Sequence, residues 1–450
     1  MKSVNCTSFW LLVSALALSG CDNSAPFTGA TSGGGGSSGG AGGNPGGGSG
    51  GVTEPLLQFD TDYLNGDFVA GRISGDGSTL VWVDTADPLG TNPNGRTQLF
   101  AKNLISGAVR QITLGSETFS YATREWDITN NGDFVVFVSR QDIAGLNPNL
   151  QDNVFLASTS GAATTQVTRI DASANSVRHP QIADNGVIVF SSAADLTGDN
   201  LTGATQIFSI NSDGSGLAQV TTGQLDVDDL ALAANGSKVA FTSFRDPFGT
   251  NIPSTDEIFV IDIDGSNLTQ LTETDQDSEI PRISDDGSSV AFVSSADHAA
   301  GLNTDGNSEV FVAASDGSSI VQVSNSATRS SGRYTGIGTN STTPTNPLTG
   351  PGSFDLSGDG STVVYGSRAD HTGDNPNGYH TIFAAPADGT GVTIQVLREG
   401  TVALSAPNFR GDRPSVNNDG TAVMFISQYN LTSFDQNVGD SFRIYTSDVE

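Results

Sequence analysis

Cysteine is almost missing from this chain: only Cys6 and Cys21 occur, and both precede position 22. Whatever folds beyond that point is held by packing and backbone ladders, without disulfides, thiolate metal sites or a cysteine nucleophile. Lysine is confined to Lys2, Lys102 and Lys238, and 19 basic residues face 49 acidic ones, for a formal net charge of −30. A field of that sign repels phosphate backbones and anionic headgroups, so nucleic acid is excluded as a partner. It suits a well-solvated exported surface, or one that holds divalent cations. The apolar stretch at the N-terminus, residues 9–18, is too short to span a bilayer comfortably. Metalloprotease pairs, phosphate-binding glycine loops and serine-triad spacings do not occur either, which weakens an enzymatic reading without removing it.

What the chain has in abundance is repetition. Residues 281–324 contain an apolar-polar run ending at Asp286-Gly287, a run around Phe292, a polar loop, a run around Phe311, a turn at Asp316-Gly317 and a closing run at 320–323. Short alternating runs rich in β-branched and aromatic residues, punctuated by Asp-Gly, predict a four-stranded antiparallel sheet with tight hairpin turns. The unit recurs at a spacing of roughly 40 to 60 residues, the signature of a repeat architecture. Its first turn falls on Gly77, Gly132, Gly186, Gly236, Gly287, Gly360 and Gly420. Second-strand aromatics recur as Trp82, Phe137, Phe190, Phe241, Phe292, Tyr365 and Phe425, and third-strand ones as Phe100, Phe155, Phe208, Phe259, Phe311, Phe383 and Tyr445. They read as the core between neighbouring sheets.

The fourth strand carries a glutamine, at Gln111, Gln166, Gln219, Gln270, Gln322 and Gln395, and the seventh unit has none before Glu450. The missing copy is at the other end, in Leu57-Gln58-Phe59-Asp60. The expected fold is therefore all-β, a seven-bladed β-propeller over 56–450 whose N-terminal strand completes the last sheet and leaves no large free edge.

Residues 1–20 read as a cleaved export signal, with Lys2 ahead of the apolar stretch and small residues after it. Leu18-Ser19-Gly20-Cys21 resembles the bacterial lipobox, which implies lipidation of Cys21. Residues 21–55, mostly Gly and Ser, are expected to form a flexible linker. Together these place the protein in a Gram-negative envelope, lipid-anchored and facing the periplasm, with the choice of membrane left open.

The motifs Ile-Ser-x-Asp-Gly, Val-Ala-Phe-x-Ser and x-Val-Phe-Val, repeated over about 56–450, resemble the TolB-type propeller repeats, relatives of the WD-repeat blades. The TolB translocation protein binds peptidoglycan-associated lipoprotein and toxin segments, so the resemblance implies a module that binds an envelope protein or peptide. This chain departs from TolB in showing no preceding α/β domain, seven units rather than six, and its own lipid anchor. Metal-dependent pectate-fragment lyases have a related fold, and they motivate the alternative of a periplasmic enzyme acting on acidic polysaccharide fragments at the channel mouth. The expected state is a monomer.

Two sets of residues are candidate sites. Asn303, Asp305, Asn307 and Glu309 place oxygen side chains at every second residue around Gly306, as Ca²⁺ loops do. The competing reading is that Asn and Asp cap turns there, as they would in the Asp…Gly-x-Asn loops repeated from Asp87-Asn92 to Asp370-Asn375. The second set comprises Arg72, Arg124, Arg178, Arg282, Arg329, Arg333, Arg410 and Arg413, in the segments joining one blade to the next. Such a rim around the channel mouth would trap a carboxylate or an acidic peptide, unless the arginines pair with nearby Glu125, Asp127, Glu279 and Asp412. His298 and His371 occupy the same position in adjacent units, open to metal coordination or to a plain loop role.

Overall fold

Glycine sets each inner hairpin. At the seven first-turn positions, Gly77 to Gly420, φ lies between 70° and 83°, a region open to glycine without a Cβ penalty. In the fifth repeat, Gly287 N donates to Ser284 O at 2.9 Å and Ser284 N to Ser289 O at 2.9 Å. Asp286 accepts from Ser288 N and Ser284 Oγ at 2.8 Å each. The hairpin is thus a longer turn ending in a left-handed glycine, rather than the tight two-residue one Asp-Gly suggests, with the aspartate at the bend capping Ser284 and Ser288 on either side.

The structure is a computed structural model that describes residues 57–58 and, with short gaps, 70–449; the longer stretches outside it are 1–56, 59–69, 114–124, 171–176, 327–353, 397–411 and 428–442. The expected signal peptide, lipidated Cys21, linker and Phe59 lie outside the described residues. All described residues belong to one compact unit, Gly51–Glu450, and among them every regular element is a strand.

The strands form seven four-stranded antiparallel sheets. Sheets 1 to 6 are each made of consecutive strands, at 70–111, 126–166, 177–219, 227–270, 278–322 and 354–395. Sheet 7 consists of Asp412–Val416, Ala422–Ser427 and Arg443–Asp448, with Leu57–Gln58 as its fourth strand. The register is the same in all seven. Gln58 lies opposite Tyr445 as Gln111 lies opposite Phe100 and Gln322 opposite Phe311.

Packing follows from that register. In sheets 1 to 6 the second- and third-strand aromatics are cross-strand partners and stack, from Trp82–Phe100 at 5.5 Å between centroids to Phe137–Phe155 at 5.8 Å. Those rings are buried, and each sheet's face packs on the next, as where Phe137 and Phe155 share a cluster with Val81 and Leu99. Aromatic pairs of this kind add about 0.5–1.5 kcal/mol beyond their area.

A belt of hydrogen bonds joins the inner turns around the axis. Asp76 N donates to Asn130 O, Asp184 N to Ala234 O, Asn235 N to Asp285 O, Asp285 N to Gly358 O, Asp359 N to Asn418 O, and Asn418 N to Gly75 O, all at 2.7–3.0 Å. Between sheets 2 and 3 the acceptor is instead a side chain, with Asn130 N donating to Asp184 Oδ1 at 2.9 Å. The circuit returns to sheet 1.

Replacing both Leu57 and Gln58 by proline is expected to remove the outer ladder of sheet 7, costing on the order of 2 kcal/mol for two net hydrogen bonds and exposing a free edge. Chemical denaturation and light scattering check this; unchanged stability with no association would contradict the pairing.

Candidate functional site

The axis is lined by the innermost strands. Five positions before each turn glycine these strands carry Arg72, Asp127, Gln181, Ala231, Arg282, Asp355 and Ser415, and all seven border one cavity of about 110 Å³. The inner strand of each repeat is held at both ends, by its turn glycine and by the blade joint, so its alternation turns this position to the channel.

Charge in the channel is arranged in pairs. Arg72 is ion-paired with Asp127, whose other oxygen accepts from Ile182 N at 3.2 Å. Opposite, Arg282 Nε lies 3.7 Å from Asp355 Oδ1, and Asp355 Oδ2 accepts from Val416 N at 3.2 Å. Gln181 plays the same part for Leu232 N, at 2.8 Å. Each acceptor therefore ties its own sheet to the backbone of the next. The Arg282 guanidinium lies 5.6 Å from the centre of the Phe354 ring, and its Nη1 donates to Pro281 O at 2.9 Å. Burial works against the charge of Arg72, but Asp127 and then Asp355 outweigh it and hold the guanidinium above its ordinary value.

At the turn end the lining changes to Asn130, Asp285 and Asn418. A Cβ at Gly75 would collide with Asn418 and Asn130, and one at Gly358 with Asp285 and Asn418, so these glycines make room for polar side chains close to the axis. Burial raises the carboxyls of Asp184 and Asp285, and like charge adds to it, from Asp76 and Asp127 at Asp184 and from Asp184, Asp286 and Asp359 at Asp285.

The basic rim expected from the sequence takes a different form here. Arg72 and Arg282 reach the channel, each beside an aspartate, and three carboxylates (Asp127, Asp285, Asp355) accompany these two guanidiniums in the cavity wall. Pairing with Asp127 was the competing expectation for this region, and Arg72 adopts it. Arg178 is exposed on Val177–Ile182. Arg413 lies in Asp412–Val416, its side chain not described. Arg124, Arg329, Arg333 and Arg410 lie outside the described residues.

In the calcium-like loop, the side chains of Asn303, Asn307 and Glu309 engage neighbouring protein groups. Glu309 is fully buried, and its carboxylate accepts from Ser324 Oγ, from Ser326 N at 2.7 Å and from Ser326 Oγ at 2.5 Å. Asn307 donates its amide to Ser326, and Asn303 donates to Ala296 O at 3.2 Å and Asn307 O at 2.9 Å. Asn303 thus bonds within its own loop, while Asn307 and Glu309 bond to the segment at Ser324 and Ser326, and no group of three His, Cys, Asp or Glu that could hold a metal occurs among the described residues. The equivalent loops agree. Asp87 accepts from Asn92 N at 2.7 Å, Asp142 from Asn147 N at 2.7 Å and Asp370 from Asn375 N at 2.9 Å.

Glu309 also belongs to a motif the sequence reading missed. Two residues before each third-strand aromatic, sheets 1 to 5 carry Gln98, Asn153, Gln206, Glu257 and Glu309, and each accepts from a hydroxyl two residues after the fourth-strand glutamine, as Thr113 to Gln98 at 2.6 Å and Thr221 to Gln206 at 2.8 Å. Aligning the repeats two columns ahead of the aromatics would have found it. Burial raises the Glu309 carboxyl above its ordinary value, so its contribution to stability declines as pH rises through the folded-state value. Glu309→Gln is expected to match wild type at pH 5 and to equal or exceed it by up to about 1 kcal/mol at pH 8. Thermal melts check this, and a calcium-dependent rise in melting temperature seen in wild type and lost in the variant would contradict it.

His298 and His371 are half-buried and pack against core aromatics. His298 meets Phe292 and Phe311 edge-on at 5.4 and 4.9 Å, and His371 meets Tyr365 and Phe383 at 5.3 and 4.8 Å. Burial lowers both to about 4, so the folded state holds neutral rings that the unfolded chain protonates below about 6.5. Stability is therefore lost as pH falls from about 6.5 to about 4. A double His298→Leu, His371→Leu variant should lose less between pH 7 and 4.5 than wild type; parallel melting curves would refute this.

No family model matches the sequence and no curated protein matches it. Solved structures resemble it in fold. An oligogalacturonate lyase from Vibrio parahaemolyticus aligns with a TM-score of 0.52 at 14% identity, over 88% of this chain and 93% of that one. A puromycin-hydrolyzing peptidase of Mycobacterium tuberculosis aligns at 0.52 and 13% identity, over 84% of this chain and 51% of its own length. TolB from Acinetobacter baumannii aligns at 0.37 and 11% identity, over 84% and 78%. The two likenesses at a TM-score of 0.52 concern the fold alone, a β-propeller.

Proposed function

We propose that this chain is a seven-bladed, TolB-like propeller that binds a segment of another envelope protein or peptide at its channel, and that it is held at the periplasmic face of a membrane through a lipidated Cys21 and the glycine-rich linker. The observation that carries the reading is the axial cavity walled by all seven inner strands, with Arg–Asp pairs on opposite sides. Backbone amides of neighbouring sheets hold each aspartate in place, so an incoming carboxylate or amide meets a preformed polar surface and little ordering cost. The 3.7 Å Arg282–Asp355 pair is the looser of the two, and its guanidinium offers the bidentate geometry that carboxylates prefer.

A second reading, an enzyme cleaving acidic polysaccharide fragments at the same mouth, is motivated by the same arginines, which would hold uronate carboxylates, and by the fold shared with an oligogalacturonate lyase. Photo-crosslinking from Ser415 in the intact lipoprotein, in native membranes, tests the binding role. A discrete protein adduct is expected, weakened about fivefold or more by Arg282→Ala. An adduct indifferent to Arg282→Ala would overturn it, as would turnover of oligogalacturonate that this substitution abolishes.

A further inference from the structure

Sheet 4 breaks the repeat at one place. The loop after its second strand reads Ser243-Phe244-Arg245-Asp246-Pro247-Phe248, where the positions equivalent to Phe244 are Thr85, Arg140, Ala193, Ser295 and Arg368. Phe244 and Phe248 are 39% and 50% exposed. A scaffold that folds five times with a small or polar residue here does not need phenylalanine for its fold, so the fold alone does not account for this aromatic. Arg245 lies over one face of the Phe244 ring, 4.5 Å from its centre, and 3.7 Å from Asp226, and Phe244 remains exposed beside it.

Register places acidic groups on either side. Ser243 pairs with Val227 on one neighbour and Glu257 on the other, so Phe244, one residue on, emerges between Asp226 and Asp256. Asp277 closes the group from the joint to sheet 5, accepting Asp256 N at 3.0 Å. Asp228 and Asp277 are exposed and Asp256 is half-buried. We propose that this end of sheet 4 is a docking surface for a polypeptide segment that carries lysine or arginine between apolar residues, the apolar side chains covering Phe244 and Phe248 and the cations lying among Asp228, Asp256 and Asp277. Charge complementarity selects the occupant: an acidic or neutral apolar segment would bring no compensation to three neighbouring carboxylates, whereas a cation relieves their mutual repulsion. That repulsion is visible in Asp256, which burial, then Asp277 and Asp228, raise to about 6.

The surface is separate from the channel and stands or falls on its own test. Fluorescein-labelled peptides Lys-Leu-Lys-Leu-Lys-Leu-Lys, Glu-Leu-Glu-Leu-Glu-Leu-Glu and Lys-Ser-Lys-Ser-Lys-Ser-Lys serve as probes in anisotropy titrations of the full chain at about 150 mM salt, where diffuse attraction to a net-negative protein is screened. The Lys-Leu peptide is expected to bind most tightly. Phe244→Ser with Phe248→Ser, and separately Asp256→Asn with Asp277→Asn, should each weaken it about tenfold or more, while Leu89→Ser with Leu201→Ser, in the corresponding loops of sheets 1 and 3, should not. Because the charge variant keeps every apolar contact, it reads the surface even if the phenylalanine variant folds poorly. Equal binding of the Lys-Ser peptide, equal loss in the Leu89/Leu201 variant, no loss in the Asp256/Asp277 variant, or no binding at all would overturn the proposal.

Discussion

The belt of hydrogen bonds between inner turns is the constraint from which the rest of the architecture follows. Each link passes from the turn of one sheet to the turn of the next, and the last returns from Asn418 to Gly75. A sheet on its own would expose both faces and two edges; in a closed circuit each face is covered by a neighbour. Turn geometry, and hence the glycine with φ near 70°, decides whether the donor and acceptor of each link can meet. The aromatic pairs fill the wedges that the circuit opens outward.

Closure also explains why the channel is polar although the sheets are apolar between them. At the centre the inner strands converge on too little space for a layer of large side chains, so small residues and bonded polar groups occupy it. Asp127, Gln181 and Asp355 face the axis and bond laterally to the next sheet's backbone. Their charge is met by Arg72 and Arg282, which would otherwise be desolvated without compensation. The result is a preorganised lining rather than a hydrophobic plug, and the binding role proposed for the channel rests on that preorganisation.

Much of this was legible in the residues. The turn glycines, the cross-strand aromatics and the missing fourth-strand glutamine located the sheets and placed Leu57–Gln58 beside Tyr445, because a period-two ladder leaves one register in which the same residue types recur. Side-chain partners were harder to read. An oxygen-rich stretch such as Asn303 to Glu309 has the same composition whether it wraps an ion or caps its own turn, and composition does not reveal that Glu309 turns inward onto Ser324 and Ser326. Likewise, sequence gathers arginines near the joints but does not reveal that Arg72 and Arg282 stand one strand further in, next to aspartates from the following sheet. The third-strand acceptors such as Gln98 escaped notice because their hydroxyl partners lie some fifteen residues on, just past the fourth strand.

The joining of Leu57–Gln58 to Arg443–Asp448 has a mechanical corollary. The chain enters the folded unit through an outermost strand only two residues long, so any pull arriving from the preceding segment loads that strand first. Two residues of antiparallel ladder resist such a load far less than the six-residue strands at the heart of each sheet. Tension would peel this strand away before it deformed anything else, making it a fuse that fails ahead of the body it protects.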